Sequence, residues 1–174
     1  MTIKKQFNLE GKVAIITGSS KGIGKAIAKG LAENGAQVVI SSRSQEACDA
    51  VVAEFKKEGL SAIGIACHIG KDDQRKQLVS KTIVAFGRID ILVNNAGIGV
   101  TGPIEETPND EMRNAFNTNF FGAVDVIKTV LPFMCTQKYG VIITTTSITG
   151  YMVLPFRGIY SSSKGALELG SDYS

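Results

Sequence analysis

Five short apolar runs alternate along this chain with stretches in which apolar residues recur at helical spacing, and this alternation limits the fold more than any other feature. The runs cover residues 13–16, 37–41, 62–66, 89–93 and 140–144. A continuous apolar run of strand length is typical of a strand that is buried on both faces. Strands that alternate with helices through right-handed crossovers form a parallel sheet with helices on both sides. The sequence therefore predicts an α/β fold built on a doubly wound parallel sheet.

Composition favours one globular unit over residues 1–174. Apolar residues make up 44% of the chain and charged residues 20%, which is the balance of an ordinary folded domain. The formal net charge of +3 is too small to indicate nucleic acid or an anionic membrane surface as a partner. No interdomain linker or internal repeat is recognisable, so we expect a single domain.

The cysteines and the amino-terminal residues bear on location. Cys48, Cys67 and Cys135 are scattered and form no Cys-x-x-Cys pair, which is typical of reduced thiols in the cytoplasm. Residues 1–12 contain lysines but lack the apolar core of a secretory signal. No stretch approaches the roughly 18 consecutive apolar residues that a membrane helix needs. We therefore expect a soluble cytoplasmic protein.

Two helices carry features that the structure can test. The first helix is predicted to turn Ile23, Ile27 and Leu31 towards the core. A long helix between the fourth and fifth strands is predicted to begin with Thr107 as its cap and Pro108 at its first position, and Pro132 is expected to kink or end it. Its predicted buried stripe consists of Phe116, Phe120, Val124, Ile127 and Leu131.

A glycine-rich turn follows directly after the first predicted strand. Residues 17–24 read Thr-Gly-Ser-Ser-Lys-Gly-Ile-Gly and lead into the first helix. At such a junction backbone N–H groups and the positive end of the helix dipole point to one place, and glycine lets a pyrophosphate approach the backbone. The alternative is a tight strand–helix turn that binds nothing, which the position after the first strand disfavours. The predicted dinucleotide-binding residues of this turn are Gly18, Ser20, Lys21, Gly22, Ile23 and Gly24.

The end of the second strand indicates which dinucleotide is bound. Folds of this kind that bind NAD usually have an Asp or Glu there, about 20 residues past the glycines, to bond the ribose 2′-hydroxyl. Residues 41–44 read Ser-Ser-Arg-Ser and contain no acid. The planar guanidinium of Arg43 suits a 2′-phosphate, and Lys21 adds a second positive charge. We therefore expect NADP(H) in preference to NAD(H); the alternative is that Arg43 is a solvated residue at a helix start.

Polar and small residues follow the third and fourth strands at the same edge of the sheet. His68 comes after the third strand, and Asn94, Ala96 and Gly97 come after the fourth. Ligands bind at this edge in open α/β sheets, so we predict that all four residues bind the cofactor. For the last three the alternative is a strand-ending turn. His68 is the only histidine and is not part of a ligand pattern, so we predict no metal site.

Tyr160 and Lys164 are four residues apart in a predicted helix, so their side chains project from one face. A phenol titrates near pH ~10, and a nearby ammonium favours the phenolate and moves that pKa towards the operating pH. Ser147, just past the fifth strand, has a hydroxyl able to hold a substrate oxygen near the phenol. Tyr160 would then give a proton to a carbonyl oxygen as hydride reaches the carbon. Taken alone, a Tyr and a Lys at this spacing more often belong to an amphipathic helix face, and Ser147 is more often a turn residue. The combination of all three residues favours a catalytic site.

In this order, the motifs resemble the short-chain dehydrogenase/reductase family over nearly the whole chain. The matching pieces are the glycine turn at 17–24, Asn-Asn-Ala-Gly at 94–97, Asn119 in Asn-Thr-Asn-Phe-Phe-Gly, Ser147, and Tyr-Ser-Ser-Ser-Lys at 160–164. The resemblance implies strand order 3-2-1-4-5 and NADP(H)-dependent chemistry, as in carbonyl reductases and 3-oxoacyl-carrier-protein reductases. It also implies that Asn119 completes a catalytic tetrad by helping Lys164 hold a water. Tyr160 and Lys164 would contact the cofactor as well.

The chain departs from the family pattern in two places. His68 stands where many members have an Asp beside the adenine. The sequence stops at Ser174, whereas members normally continue with a sixth strand, a loop that closes over nicotinamide and substrate, and a seventh strand. We therefore expect a chain truncated at its carboxyl terminus, whose fifth strand is an edge that exposes residues 141–143. The resemblance also implies a homo-oligomer.

Three hypotheses of function remain. The first is an NADP(H)-dependent carbonyl reductase or alcohol dehydrogenase acting on a small molecule. The second is a truncated, catalytically weak or inactive nucleotide-binding or interaction protein with the same fold. The third, a Rossmann-like methyltransferase, would not require Ser147, Tyr160 and Lys164 and is the least favoured. The substrate itself is not determined, because the apolar segment 151–156 fits a pocket wall and a packed loop equally well.

Overall fold

A computed structural model of the chain describes residues 7–170. Its five strands form one parallel sheet in the order β3-β2-β1-β4-β5. The strands are β1 (Val13–Thr17), β2 (Gln37–Ser42), β3 (Ala62–Ala66), β4 (Ile91–Asn94) and β5 (Val141–Thr144). The predicted doubly wound sheet and its strand order are confirmed.

Helices join the strands and cover both faces of the sheet. The helices are α1 (Gly22–Glu33), α2 (Gln45–Lys57), α3 (Asp72–Phe86), α4 (Asn109–Phe116), α5 (Gly122–Gln137) and α6 (Gly158–Leu169). A π-helical turn, Asn117–Phe121, joins α4 to α5, and a 3₁₀ turn, Ile148–Gly150, precedes α6. Because all the strands are parallel, their carboxyl ends meet at one edge of the sheet.

The core consists of two apolar layers, one on each face of the sheet. Alternate residues of β1 point to opposite layers: Ala14 and Ile16 pack with residues of α1 and α2, and Ile15 packs with residues of α3 and α5. All five residues of β1 are buried. The central strand is therefore apolar throughout because it has no face in contact with water.

The first helix packs on the sheet through smaller residues than predicted. Ile23 is 67% exposed, and the buried positions of α1 are Gly24, Ala28 and Ala32. Ile27 and Leu31 are only partly buried. The prediction for Ile23 was wrong because the small side chains let α1 approach the sheet closely, which turns Ile23 towards the glycine-rich edge.

The long helix differs from its prediction at its start and in its buried face. It begins at Asn109, with Pro108 at the cap position, and the Thr107 hydroxyl donates to the carbonyl of Pro103 (2.9 Å) instead of capping the helix. The π-helical turn adds a residue to the helical ladder and rotates the buried face. The buried residues are Ala115, Thr118, Asn119, Gly122, Ala123, Val126, Ile127, Val130 and Met134. Of the predicted stripe only Ile127 is fully buried, and the helix continues through Pro132 to Gln137.

Strand β5 is an edge strand within residues 7–170, as expected. It pairs with β4 alone, and the side chains of Val141 and Ile143 are 41% and 47% exposed. The connection from β5 to α6 also exposes apolar side chains. These are Ile148, Tyr151, Met152, Val153, Leu154 and Phe156.

Candidate active site

Two glycines let the turn after β1 pack against the loop after β4. Gly18 has a left-handed backbone (φ +67°), and a β-carbon there would lie 2.9 Å from the Cα of Ala96. A β-carbon on Gly24 would lie 2.4 Å from the carbonyl oxygen of Gly18. Both distances are shorter than any ordinary contact to a β-carbon, so the close approach of α1 to this turn requires glycine at both positions.

Thr17 and Asn95 join the glycine turn to the loop after β4. The Thr17 hydroxyl accepts hydrogen bonds from the backbone N–H groups of Asn95 and Ala96, both at 3.0 Å. The Asn95 side chain donates to the carbonyl of Thr17 at 3.1 Å. Sequence reasoning selected Asn94 and missed Asn95. The end of the apolar run could have distinguished the two residues. Asn94 is the last residue of β4, and Asn95 is the first residue beyond it.

Ser19, which sequence reasoning also missed, attaches the glycine turn to β2. Its hydroxyl donates to the carbonyl of Ile16 (2.6 Å) and accepts from the backbone N–H of Ser41 (2.8 Å). The backbone N–H of Ser19 donates to the Ser41 carbonyl at 3.0 Å. These bonds hold the ends of β1 and β2 in register, so Lys21 and Arg43 face one cavity.

That cavity, of about 830 Å³, lies at the carboxyl edge of the sheet. Ten of the predicted cofactor-binding residues line it: Gly18, Ser20, Lys21, Gly22, Ile23, Gly24, Arg43, His68, Ala96 and Gly97. No Asp or Glu of the described chain is among its lining residues, whereas two cationic side chains are. The electrostatics of the cavity therefore favour an anionic ligand.

The start of α1 fits a pyrophosphate. Lys21 is the cap residue, but its side chain makes no capping hydrogen bond, and the first turn of α1 contains no acid. The first N–H groups of a helix lack partners within it. Gly22 has φ +56°, and a β-carbon built on it meets no atom within 4 Å. Uncapped N–H groups beside open space are the arrangement that phosphate groups bind.

Lys21 and Arg43 are exposed, and neither forms an ion pair with a carboxylate within residues 7–170. Both charges are therefore available to a ligand. Arg43 stands between the end of β2 and the start of α2, whose cap is the neighbouring Ser44. Since Ser44 accepts the hydrogen bond from the Ala47 N–H, capping of α2 makes no use of the guanidinium.

His68 lies in the cavity wall, half-buried. Its Nδ1 accepts a hydrogen bond from the backbone N–H of Gly70 at 3.2 Å, and its own backbone N–H donates to the Gln74 side chain at 2.7 Å. In the part of the chain that the structure describes, no group of three or more His, Cys, Asp or Glu residues could hold a metal ion.

Asn94 is not brought to the cavity. Its side chain is buried beneath the loop and donates to the carbonyl of Ala123 at 3.3 Å. The predicted contact between Asn94 and the cofactor therefore has no support in this geometry. The residue instead connects β4 to the first turn of α5.

Lys164 is a buried cation beside Gly97, which lines the cavity; neither Lys164 nor Tyr160 is itself among the lining residues. Lys164 is 4% exposed, and its ammonium donates to the carbonyl of Thr145 at 2.8 Å. The ammonium lies 3.5 Å from the point where a β-carbon on Gly97 would stand. Burial lowers the pKa of Lys164, because the charged form is less well solvated there.

Asn119 joins the loop after β4 to α6 from within the π-helical turn. Its side chain accepts from the Ile98 N–H (2.8 Å) and donates to the Ile98 carbonyl (2.9 Å) and to the Ser163 hydroxyl (3.0 Å). Ser163 in turn donates to the carbonyl of Tyr160 at 2.8 Å. Ser163 is a further residue that sequence reasoning missed, although it stands between Tyr160 and Lys164.

Ser147 caps the 3₁₀ turn that packs on α6. Its hydroxyl accepts from the Thr149 N–H (3.3 Å) and lies 2.9 Å from the Thr149 hydroxyl. A β-carbon on Gly150, at the end of this turn, would lie 3.1 Å from the backbone nitrogen of Gly165. The Tyr160 side chain is half-buried, and within residues 7–170 its hydroxyl has no hydrogen-bond partner. The phenol is therefore available to a ligand.

Glu168 forms a second connection between the Ser147 segment and α6. Its carboxylate accepts hydrogen bonds from the side chains of Thr146 and Tyr151, and these bonds lower the pKa of Glu168. The same contact raises the pKa of Tyr151, chiefly through its hydrogen bond to Glu168. No sequence pattern indicated this connection, because the two segments meet only in the folded chain.

The strand order and the cavity at the carboxyl edge of the sheet define a doubly wound α/β protein of the Rossmann class. Residues 12–170 match the family model described as short chain dehydrogenase. The chain belongs to that family.

Named relatives and solved structures agree with this assignment. Dehydrogenase/reductase SDR family member 4 of Rattus norvegicus is 39% identical over 166 residues, which are 95% of this chain and 60% of that protein. A 7α-hydroxysteroid dehydrogenase solved with NADH and 7-oxo glycochenodeoxycholic acid superposes with a TM-score of 0.92 at 36% identity, covering 97% of this chain and 66% of that one. A gluconate 5-dehydrogenase from Burkholderia cenocepacia, solved with NADP and tartrate, superposes with a TM-score of 0.92 at 32% identity, covering 98% and 67%.

The chain thus spans about three-fifths of the length of the rat relative. Within residues 7–170, no helix is both long enough and apolar enough to cross a membrane.

Proposed function

We propose that this chain is the NADP(H)-binding and catalytic part of an oxidoreductase that interconverts a carbonyl compound and a secondary alcohol. The observation that carries the proposal is the position of α6. Tyr160 and Lys164 are one turn apart on this helix, and the buried Lys164 ammonium lies beside Gly97, which lines the cation-lined cavity.

NADP(H) is proposed over NAD(H) because Lys21 and Arg43 both line the cavity and no acid of the described residues does. The glycine turn and the start of α1 would hold the pyrophosphate, and Arg43 with Lys21 would hold the 2′-phosphate. His68, Ala96 and Gly97 would line the rest of the cofactor site, and Asn94 would support it from behind. When bound, the cofactor supplies or accepts a hydride at the substrate carbon.

In the reduction direction, the Tyr160 phenol donates a proton to the carbonyl oxygen as the carbon receives hydride; in oxidation the phenolate takes that proton back. The Ser147 hydroxyl holds the same oxygen. The Lys164 ammonium stabilises the phenolate electrostatically. An ammonium has three donors, and Thr145 uses one, so two remain for a ribose hydroxyl and a water. Asn119 holds α6 against the loop that carries Gly97.

The cofactor assignment is tested by titrating NADPH and NADH into the purified chain and into Arg43→Ala. We expect wild type to bind NADPH more tightly, and the substitution to weaken NADPH binding by about 10- to 100-fold while changing NADH binding little, because only NADPH offers the 2′-phosphate. Lys57→Ala, which removes an exposed cation from the last turn of α2, is the matched control. Equal or tighter binding of NADH by wild type would contradict the cofactor assignment.

The reaction is tested by assaying reduction of a panel of neutral ketones with wild type and Tyr160→Phe. Loss of turnover in the variant, with NADPH affinity retained, is the expected result. Turnover that persists without the phenol hydroxyl would contradict the assigned role.

The second candidate is a nucleotide-binding protein with little or no turnover. It is favoured by the exposure of Met152, Val153 and Phe156 in the connection that leads to Tyr160, because the substrate side of the site is then open to water. NADPH binding without Tyr160-dependent turnover of any ketone would support this candidate.

Three further proposals concern the whole chain. Residues 1–174 are proposed to form a single domain, to be tested by a single unfolding transition. A cytoplasmic location is proposed because Cys48, Cys67 and Cys135 are all unpaired, and cell fractionation would test it. A homo-oligomer is proposed by analogy with the family, and sedimentation would test it.

A further inference from the structure

Arg157 stands on the same stripe of α6 as the proposed catalytic pair. It occupies the cap position of the helix, three residues before Tyr160 and seven before Lys164. Side chains at spacings of three and four residues lie on one helical face. A cation therefore precedes the phenol along the face that turns towards the loop after β4.

The loop after β4 runs beside this stripe from one end to the other. A β-carbon on Gly97 would lie 3.5 Å from the Lys164 ammonium, and one on Gly99 would lie 3.5 Å from Nη1 of Arg157. Both glycines are exposed. The exposed loop from Gly97 to Gly99 thus has the Lys164 cation beside one end and the Arg157 cation beside the other.

The backbone that carries Arg157 is held in place. The preceding residue, Phe156, has φ +62°, a left-handed conformation that is costly for an aromatic residue. Its carbonyl accepts from the N–H of Gly102 at 2.9 Å, and the carbonyl of Arg157 accepts from the N–H of Ser161 at 2.8 Å. These bonds fix the backbone from which the Arg157 side chain reaches Gly99.

Arg157 is half-buried, and within residues 7–170 its guanidinium forms neither an ion pair nor a hydrogen bond. The side chains just before it, Met152 to Leu154 and Phe156, are apolar and exposed. A partly desolvated cation without a counter-charge is unfavourable, and an anion that binds there relieves the cost. Arginine is also suited to bidentate recognition of a carboxylate.

We propose that Arg157 is a specificity-determining residue that binds a carboxylate of the substrate, so that the substrate class is oxo acids and the corresponding hydroxy acids. This inference rests on the proposed function and specifies its substrate. The carboxylate would lie about one helical turn, ~5 Å along α6, from the oxygen that Tyr160 protonates. A short aliphatic chain between the two groups would contact the apolar side chains of the connection.

The test uses the full chain loaded with NADP⁺, in which an oxo compound binds without being reduced. The probes are 4-oxopentanoate, 5-oxohexanoate and their methyl esters, measured by calorimetric titration. We expect at least one acid to bind about 10- to 100-fold more tightly than its ester, the range of a charge-assisted hydrogen bond. Arg157→Met should abolish that preference, and Arg157→Lys should retain part of it. The control is Lys81→Met, which removes an exposed cation from α3 and should change nothing.

The proposal is overturned if neither acid binds more tightly than its ester. It is also overturned if none of the four probes binds. A preference that survives in Arg157→Met overturns it as well. If Arg157→Met does not fold, the wild-type comparison and Arg157→Lys still decide the matter. Failure of the proposed function gives a different result, because NADPH binding and Tyr160-dependent reduction of neutral ketones do not involve Arg157.

Discussion

The side-chain nitrogen of Asn119 lies 3.0 Å from the hydroxyl oxygen of Ser163, and this hydrogen bond joins the π-helical turn to the helix that carries Tyr160 and Lys164. The same amide makes two bonds to the backbone of Ile98. A single fully buried side chain therefore connects α6 to the loop that borders the cavity.

Replacement of Asn119 by Ala should destabilise the protein as well as the site. The substitution leaves the partly buried N–H and carbonyl of Ile98 without their partner and removes the hydrogen bond that the Ser163 hydroxyl accepts, so we expect the free energy of unfolding to fall by about 2–4 kcal/mol. Urea denaturation measures this quantity. Asn114→Ala, an exposed residue of α4, is the control and should remain within about 0.5 kcal/mol of wild type. Equal effects of the two variants would show that the Asn119 bonds contribute little.

Replacement of Lys164 by Met should stabilise the protein but abolish its activity. The wild-type ammonium is buried without a described carboxylate partner, so its removal should raise the free energy of unfolding by roughly 1 kcal/mol. Reduction of ketones should be lost. A variant that is markedly less stable than wild type would contradict this account of Lys164.

The lowered pKa of Lys164 also predicts a pH dependence of stability. Between the folded-state pKa and the ordinary Lys value near ~10.4, the unfolded chain binds more protons than the folded one. The free energy of unfolding should therefore rise with pH across that interval. Denaturation of wild type and Lys164→Met in parallel measures the contribution, which should be missing from the variant.

Two glycines of α1 should respond in opposite ways to substitution by Ala. At Gly24 the new β-carbon would lie 2.4 Å from the Gly18 carbonyl and 2.5 Å from the Asn95 amide, whereas at Gly30 it would meet nothing within 4 Å. We expect Gly24→Ala to cost about 2–4 kcal/mol through strain in the turn. Gly30→Ala should gain about 0.5–1 kcal/mol from helix propensity. Thermal unfolding of both variants tests the pair, and stabilisation by both would contradict the close packing at Gly24.

Asp90 should make the protein sensitive to acid. Its fully buried carboxylate accepts from Arg88 (2.6 and 2.7 Å) and from the Val13 N–H (2.9 Å). Burial opposes ionisation, but these hydrogen bonds outweigh it, so the pKa of Asp90 is lowered. The folded state therefore binds fewer protons, and the stability that the carboxylate contributes is present above the ordinary value of ~3.9 and is lost as pH falls through the folded-state pKa.

Asp90→Asn should lower the free energy of unfolding at pH 7 by about 2–3 kcal/mol and reduce the acid-dependent slope. Glu10→Gln, an exposed carboxylate near the same end of the sheet, is the control. An unchanged slope in Asp90→Asn would assign the acid sensitivity to other groups.

Local pattern accounted for the sheet and for most of the cavity. The apolar runs identified all five strands, and the central strands β1 and β4 are apolar because both of their faces are buried. Ten of the predicted cofactor-binding residues line one cavity, because parallel strands bring their carboxyl ends to one edge. Ile23 and the stripe of the long helix were mispredicted, because a regular helical period indicates neither a close approach through small residues nor an extra residue in a π-helical turn.

The amino-acid order by itself determined the alternation of strands and helices, the glycine turn and the Tyr160–Lys164 spacing, since each depends on neighbours within a few residues. Only the tertiary structure decided which residues meet across the chain: Asn95 with Thr17, Asn119 with Ser163, Glu168 with Tyr151, and Gly99 with Arg157. These contacts join segments that are 17 to 78 residues apart. Their geometry depends on how closely helices and loops pack on the sheet, and the spacing of apolar residues along the sequence does not indicate this.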